Sequence, residues 1–170
     1  MFVLGIDPGL TRCGYGLVSR GQRSGTFAAH AAGTLETSAD DPVERRLSEL
    51  SGLLGELLEE FDPKVVVVER VFFQTNVRTA TSVAQASGVA LSCAAARGCE
   101  VAQYTSNEVK LAVAGYGAAT KRQVQEMVAR QCGLATAPPS ADAADALALA
   151  VCHLVGASMR DAVRAAEARR

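Results

Sequence analysis

Four carboxylates occupy positions where a folded chain would bring acids to the edge of its core. Asp7 ends the apolar run FVLGID near the start of the chain, and Glu69 is the first charged residue after four consecutive valines. Asp142 and Asp145 lie three residues apart in an almost wholly apolar segment, SADAADALALAV. Acids at strand ends are close to water yet fixed by rigid backbone, and oxygen ligands of this kind suit hard cations.

The pair Asp142 and Asp145 favours a shared role. Ser140 is a good N-cap, so the segment predicts a helix that begins just after it. Residues three apart lie on one helix face, where like charges repel unless something positive lies between them. This cost, in a helix that is otherwise apolar, suggests a function for the pair.

Each acid alone also has a structural interpretation. An aspartate in an Asp-Pro-Gly turn commonly serves the turn, and one in a first helical turn commonly compensates the helix dipole. Together, two strand-end acids and one helical pair match the ligand set of hard divalent cations such as Mg²⁺. Two such ions about 3.5–4 Å apart can activate water and stabilise the leaving oxygen of a phosphodiester.

Composition permits a single domain. The chain has 170 residues, 49% of them apolar, which is enough to bury a full core. No stretch approaches the roughly 18 consecutive apolar residues of a membrane span, and no basic region precedes the first apolar run. We therefore expect a cytoplasmic protein without membrane contact.

Cysteine and histidine usage argues against zinc and against a histidine-based triad. The five cysteines lack CxxC spacing and mostly lie in apolar contexts, so we expect reduced core thiols. Only two histidines, His30 and His153, are present. A metal, if bound, is expected to be held through oxygen.

Charge is distributed unevenly along the chain. The net charge is −1, which alone argues weakly against a nucleic-acid binder. The segment from Arg70 to Cys132, however, contains seven basic residues and only three acidic ones. We expect this middle segment to carry the phosphate-binding surface.

The order of predicted elements is α/β. Three strands over 2–7, 13–19 and 26–37 predict an antiparallel meander. A helix is predicted next, with Asp41 as its N-cap and Pro42 as its first residue. Glu44, three residues after Asp41, would complete a capping box, and the helix is expected to end at Asp62-Pro63. The buried valine strand to Glu69 comes next.

The second half predicts further helices around one strand. A helix over 79–97 is rich in small residues, which favours either packing on the chain's own sheet or a helix-to-helix dimer contact. A strand over 100–104 precedes two helices with capping boxes, one at Thr105 with Glu108 and one at Thr120 with Gln123. The acidic helix after Ser140 comes last.

This order resembles the ribonuclease H-like fold, and the motifs resemble the RuvC family of Holliday-junction resolvases more closely. The resemblance covers nearly the whole chain, through GIDPGLTRCGYG, VVVVERVFF, YGAATKRQVQ and ADAADALALA, in family order and spacing. It implies a mixed five-stranded sheet, an antiparallel meander plus parallel strands, flanked by helices. We expect a nuclease domain over residues 1–157 and a basic tail over residues 158–170, for which fraying and DNA contact both stay open.

The resemblance also implies roles for individual residues. The four acids match the family's catalytic, metal-binding acids, which hold two Mg²⁺ ions, with Mn²⁺ as a substitute. Phe72 matches an aromatic that stacks on a base at the crossover, with Phe73 as a second candidate; the alternative is that both anchor their loop in the core. Lys110 and Lys121 match basic residues that the family uses at the DNA backbone near the cut; the alternative is that they are solvated surface lysines. Apart from the resemblance, we also expect DNA contacts from Arg70, Arg78 and Arg122.

What the resemblance implies for function is specific. Such enzymes are homodimers that nick two like-polarity strands of a four-way DNA junction symmetrically, and they act with the RuvA–RuvB branch-migration complex in recombination and repair. Three alternatives stay open. They are a related nuclease acting on structured RNA, a junction-binding scaffold without activity, and an actin-like ATPase, whose first phosphate loop the segment GIDPGLTRCGYG also resembles.

Overall fold

The computed structural model describes residues 1–23, 25–70, 77–136 and 138–167, with the side chains of 77–79 and 158–167 excluded. This part of the chain contains five strands and five helices, with three strands at the start and three helices at the end. The strands are β1 (Phe2–Asp7), β2 (Arg12–Arg20), β3 (Phe27–Glu36), β4 (Val65–Glu69) and β5 (Glu100–Tyr104). The helices are α1 (Val43–Phe61), α2 (Val77–Ala96), α3 (Ser106–Ala114), α4 (Lys121–Gln131) and α5 (Ala141–Glu167).

The strands form one mixed sheet in the order β3-β2-β1-β4-β5. The first three strands pair antiparallel, with an irregularity between Leu17 and Val18, whereas β1, β4 and β5 run parallel. The predicted meander and the mixed five-stranded sheet are therefore confirmed. Because β1 and β4 are parallel neighbours at the centre, their carboxyl ends meet at the same edge of the sheet.

The alternation of side chains along the central strands divides the core into two layers. Val3, Val65 and Val67 face the layer that contains α3, α4 and α5. Leu4 follows Val3 and Val66 follows Val65, and both face the opposite layer, which α1 and α2 form. All four central valines of β4 are buried, as expected for a strand covered on both faces.

Three helix starts form as the sequence predicts. The side chains of Thr105 and Thr120 each accept a hydrogen bond from the backbone N–H three residues on, and the side-chain oxygens of Glu108 and Gln123 each accept one from the backbone N–H of the capping residue. Ser140 Oγ accepts from Ala143 N–H at 3.0 Å at the start of α5. Each cap of this kind contributes about 1 kcal/mol, and together they fix where α3, α4 and α5 begin.

The predicted capping box at Asp41 is wrong. Helix α1 begins at Val43 with Pro42 as its N-cap, at φ −57° and ψ 144°, and no side chain caps it. The second bond of a capping box needs an N–H on the N-cap residue, which proline lacks. The predicted end is confirmed, because Asp62 adopts a left-handed conformation immediately after Phe61.

Two further features bear on the sequence predictions. The helical backbone of α5 continues past position 157 to Glu167, so the predicted tail begins within this helix. The five cysteines are free thiols, as expected, and Cys13, Cys132 and Cys152 are buried. In the described ranges, no helix is both long and apolar enough to span a membrane.

Candidate active site

Two of the four predicted acids end neighbouring strands and face the same layer. On β1, Asp7 follows Val3 and Gly5 at intervals of two residues. On β4, Glu69 follows Val65 and Val67 in the same way. Alternate residues of a strand share one face, so both carboxylates point to the side of the sheet that α5 covers. The parallel pairing of β1 and β4 then places them at one edge.

Glycines on the strands allow α5 to approach the sheet closely. A Cβ at Gly5 would collide with the carbonyl oxygen of Ala146, and one at Gly14 would collide with that of Asp142. A Cβ at Gly16 would lie 2.8 Å from the Leu147 side chain. Since Asp7 pairs with Gly14 across β1 and β2, this close approach brings the first turn of α5 beside Asp7.

The acids border a cavity of about 390 Å³ at this edge. Its lining includes Asp7, Glu69 and Asp145, together with Lys110 and Lys121. Asp142 stands at the margin, outside the lining but near enough for its charge to raise the pKa of Asp7. The structure thus gathers all four predicted acids, three around the cavity and one beside it.

The electrostatics of the cavity are those of crowded, partly buried acids. Burial raises the pKa of Asp7 to about 7, and the charges of Glu69, Asp145 and Asp142 add to the rise. Burial likewise raises the pKa of Glu69 and of Asp145, and Asp145 adds to the rise at Glu69. Such shifts mean that ionising these carboxylates costs free energy unless a positive charge lies among them.

Basic side chains supply part of that charge. Lys121 Nζ lies 2.5 Å from Asp145 Oδ2, and this hydrogen bond opposes the rise of the Asp145 pKa. Arg12 Nε donates to Asp142 Oδ2 at 2.9 Å. Two of the four acids are therefore bonded to cations of the chain itself, while Asp7 and Glu69 stand next to each other and repel.

The donor set fits a hard divalent cation in chemistry and charge. The cavity acids offer only carboxylate oxygens, which Mg²⁺ prefers over nitrogen and sulfur. In the described part of the chain, no three His, Cys, Asp or Glu side chains already stand in a metal-enclosing arrangement. Because Lys121 bonds Asp145 inside the cavity, an ion that binds the same oxygen of Asp145 must displace this lysine.

The predicted DNA contacts fall into three groups. Lys110 and Lys121 line the cavity, whereas Arg122 lies beside a separate hollow between α4 and α5 and pairs with Glu126 at 3.7 Å. Arg70 is exposed at the end of β4, and its N–H donates to the Tyr104 carbonyl at 2.8 Å. Phe72, Phe73 and the side chain of Arg78 lie outside the described residues.

Sequence reasoning missed Arg12 and the strand glycines. The glycines carry a readable signal, since Gly14 and Gly16 are spaced by two on a strand and Gly5 sits opposite Gly16. That spacing is typical of a strand face that another element approaches closely. Arg12 carries no comparable signal, because its partner Asp142 is 130 residues away along the chain.

Comparison with known proteins decides the family. The family model described as crossover junction endodeoxyribonuclease RuvC matches residues 3–153. This chain belongs to the RuvC family. A RuvC of Leifsonia xyli is 53% identical over 152 residues, 89% of this chain and 72% of that protein. A RuvC of Saccharopolyspora erythraea is 50% identical over 169 residues, 99% of this chain and 84% of that protein.

Solved structures of RuvC agree with this assignment. A Thermus thermophilus RuvC structure superposes with a TM-score of 0.86 at 36% identity, over 94% of this chain and 96% of that one. A second, in complex with Holliday junction substrate, gives 0.84 at 33% identity over the same shares. The yeast mitochondrial resolvase Ydc2, at 16% identity and a TM-score of 0.67, shares the fold. Membership of the RuvC family decides against the actin-like ATPase alternative.

Proposed function

We propose that this protein is a Mg²⁺-dependent endonuclease that resolves four-way DNA junctions by nicking two strands of like polarity. The supporting observation is the cavity bordered by Asp7, Glu69 and Asp145, in a chain of the RuvC family. The Thermus thermophilus RuvC, which was solved in complex with Holliday junction substrate, supports the choice of a DNA junction over structured RNA.

In this proposal the four acids hold two Mg²⁺ ions, with Mn²⁺ as a substitute. When bound, such ions activate water and neutralise charge at the scissile phosphate. The chain's own residues create the affinity. Asp7 and Glu69 sit on rigid strand ends, and the charge of Lys121 offsets only part of what raises their pKa values, so a cation that enters the site is stabilised by both carboxylates.

Lys110 and Lys121 are proposed to bind the DNA backbone at the cavity. Both side chains line it, so a phosphate that enters meets two ammonium groups as well as the acids. Lys121 begins α4, where a cation opposes the helix dipole, and pairing with Asp145 or phosphate offsets that small cost. Arg70, Arg78 and Arg122 are proposed to follow the backbone farther away.

Hydrolysis by water is favoured over attack by a protein side chain. Cys13 is the thiol next to the site, and burial raises its pKa to about 12. It therefore stays protonated at neutral pH, when it is a poor nucleophile. Phe72 and Phe73 are proposed to stack on bases at the crossover, where stacking contributes about 1–3 kcal/mol per base.

Symmetric nicking requires two active sites, and we propose that a homodimer supplies them. Gly88 is exposed on α2, and a Cβ there would meet no atom within 4 Å. It borders a shallow hollow of about 320 Å³ between α1 and α2, which a helix of a second copy can enter.

We further propose that the enzyme acts in the cytoplasm after RuvA–RuvB has migrated the junction.

The test is cleavage of a labelled synthetic four-way junction, with linear duplex and structured RNA of equal length as controls. We expect paired nicks in the junction with Mg²⁺ or Mn²⁺ and none with chelator. Equal cleavage of the RNA would replace the DNA assignment. Tight junction binding without any cleavage would identify a scaffold instead.

A further inference from the structure

Arg12 forms a bridge between a predicted metal-binding acid and a second acid outside the cavity. Its Nε donates to Asp142 Oδ2 at 2.9 Å, and its Nη1 lies 3.5 Å from Glu36 Oε1. The side chain of Arg12 is 51% exposed, that of Asp142 only 30%. Arg12 thus reaches Asp142 from the solvent side.

The backbone fixes this arrangement. Arg12 and Gly14 are two apart on β2, so the Arg12 side chain shares the strand face on which the first turn of α5 rests against Gly14. Across the hairpin, Arg12 is paired directly with Glu36 of β3. The start of α5 is tied to the same hairpin, because Ser140 Oγ and Thr34 Oγ1 are 2.8 Å apart.

Arg12 differs from Lys121 in how it meets the acids. Lys121 lines the cavity and bonds Asp145 from within it, so it competes with a cation for that carboxylate. Arg12 is outside the lining and bonds one oxygen of Asp142, which leaves the other oxygen free of this contact. A guanidinium held in this way restricts the rotation of the carboxylate without filling the space in front of it.

We propose that Arg12 is a positioning residue for metal binding, which, together with Glu36, holds the Asp142 carboxylate in the orientation that binds a divalent cation. The proposal rests on the metal-dependent function proposed above. Groups that orient a metal ligand change metal affinity by about 10–100-fold when removed. Arg12 serves this purpose well because it stays charged at every working pH and presents several donors in a fixed plane.

The sign of the effect makes the proposal testable. Removing a positive charge near the acids would, by Coulomb's law alone, strengthen cation binding. Weaker binding in Arg12→Gln can therefore come only from lost positioning. Arg12→Lys keeps the charge but loses the planar guanidinium group that contacts both Asp142 and Glu36. This variant should therefore also bind metal more weakly.

The experiment measures Mn²⁺ binding without DNA, by electron paramagnetic resonance of the free ion, and the Mg²⁺-dependent rise in melting temperature. We expect Arg12→Gln and Arg12→Lys to bind Mn²⁺ about tenfold more weakly or worse. Arg23→Gln, on the exposed turn at the far end of the same hairpin, is the matched control and should bind as the wild type does. If Arg12→Gln does not fold, Arg12→Lys decides, because it keeps the positive charge at this position.

Cleavage kinetics separate this role from others. At saturating Mg²⁺, junction cleavage by Arg12→Lys should return close to the wild-type rate, because only metal affinity has changed. Unchanged or tighter metal binding in both Arg12 variants would overturn the proposal, as would a rate that stays low at saturating Mg²⁺. If the wild type itself bound no ion and cut no junction, the proposed function would fail instead.

Discussion

Replacing Asp7 with asparagine should stabilise the metal-free protein, and increasingly so as the pH rises. The pKa of Asp7 is raised from 3.8 to about 7 by burial and by the neighbouring acids. At about 1.4 kcal/mol per pKa unit, ionising Asp7 in the folded state costs up to about 4 kcal/mol. Because the carboxylate is partly exposed, solvent screening makes this an upper limit.

The sign follows from linkage. An acid whose folded pKa is raised binds its proton more tightly in the folded state, so the penalty is absent below about pH 3.8. It grows as the pH rises and is complete above about pH 7. Between about pH 5 and pH 8.5, the stability advantage of Asp7→Asn should therefore widen by roughly 2–3 kcal/mol.

Urea unfolding in the presence of chelator measures this difference at both pH values. Asp41→Asn, which removes an exposed acid before α1, is the matched control and should show no such widening. Adding Mg²⁺ should shrink the advantage, because the ion supplies to the wild type the charge compensation that the amide makes unnecessary. If Asp7→Asn were less stable than the wild type at the higher pH, the proposed repulsion would be refuted.

Three further outcomes are expected. Gly14→Ala should destabilise the fold by about 1–3 kcal/mol in urea unfolding and impair cleavage, because its Cβ collides with Asp142; Gly52→Ala, with open space, should do neither. Gly88→Glu should lower the sedimentation mass if α2 forms the dimer contact, and an unchanged mass would reject that contact. Phe72→Ala should lower cleavage more than junction binding; equal losses would indicate a structural anchor.

Much of the site could be predicted because local chemistry determines it. The strand before Asp7 and the four valines before Glu69 are recognisable from composition, and a period of two then assigns both acids to one face. The capping residues Thr105, Thr120 and Ser140 locate three helix starts without tertiary information. For these elements, local preference and global packing agree.

What could not be predicted has two sources: the local choice of the capping residue at α1, and contacts between distant parts of the chain. At α1, the pattern of Asp41 and Glu44 suggested a capping box, but Pro42 took the N-cap position and has no N–H to complete it. The pairs Arg12 with Asp142 and Lys121 with Asp145 form only after α5 has docked on the sheet. Charge counting along the chain could not reveal which bases face the acids.

The central claim is that Asp7 and Glu69 bind the metal ions that are needed for hydrolysis of the junction strands. Asp7→Asn and Glu69→Gln remove carboxylate ligands with little change of shape, so junction binding should persist. Asp41→Asn serves again as the exposed control. The decisive measurement is cleavage of a labelled four-way junction at saturating Mg²⁺, alongside binding of the same junction. We expect both site variants to bind the junction as the wild type does and to leave it uncut; cleavage by Asp7→Asn at the wild-type rate would contradict the account.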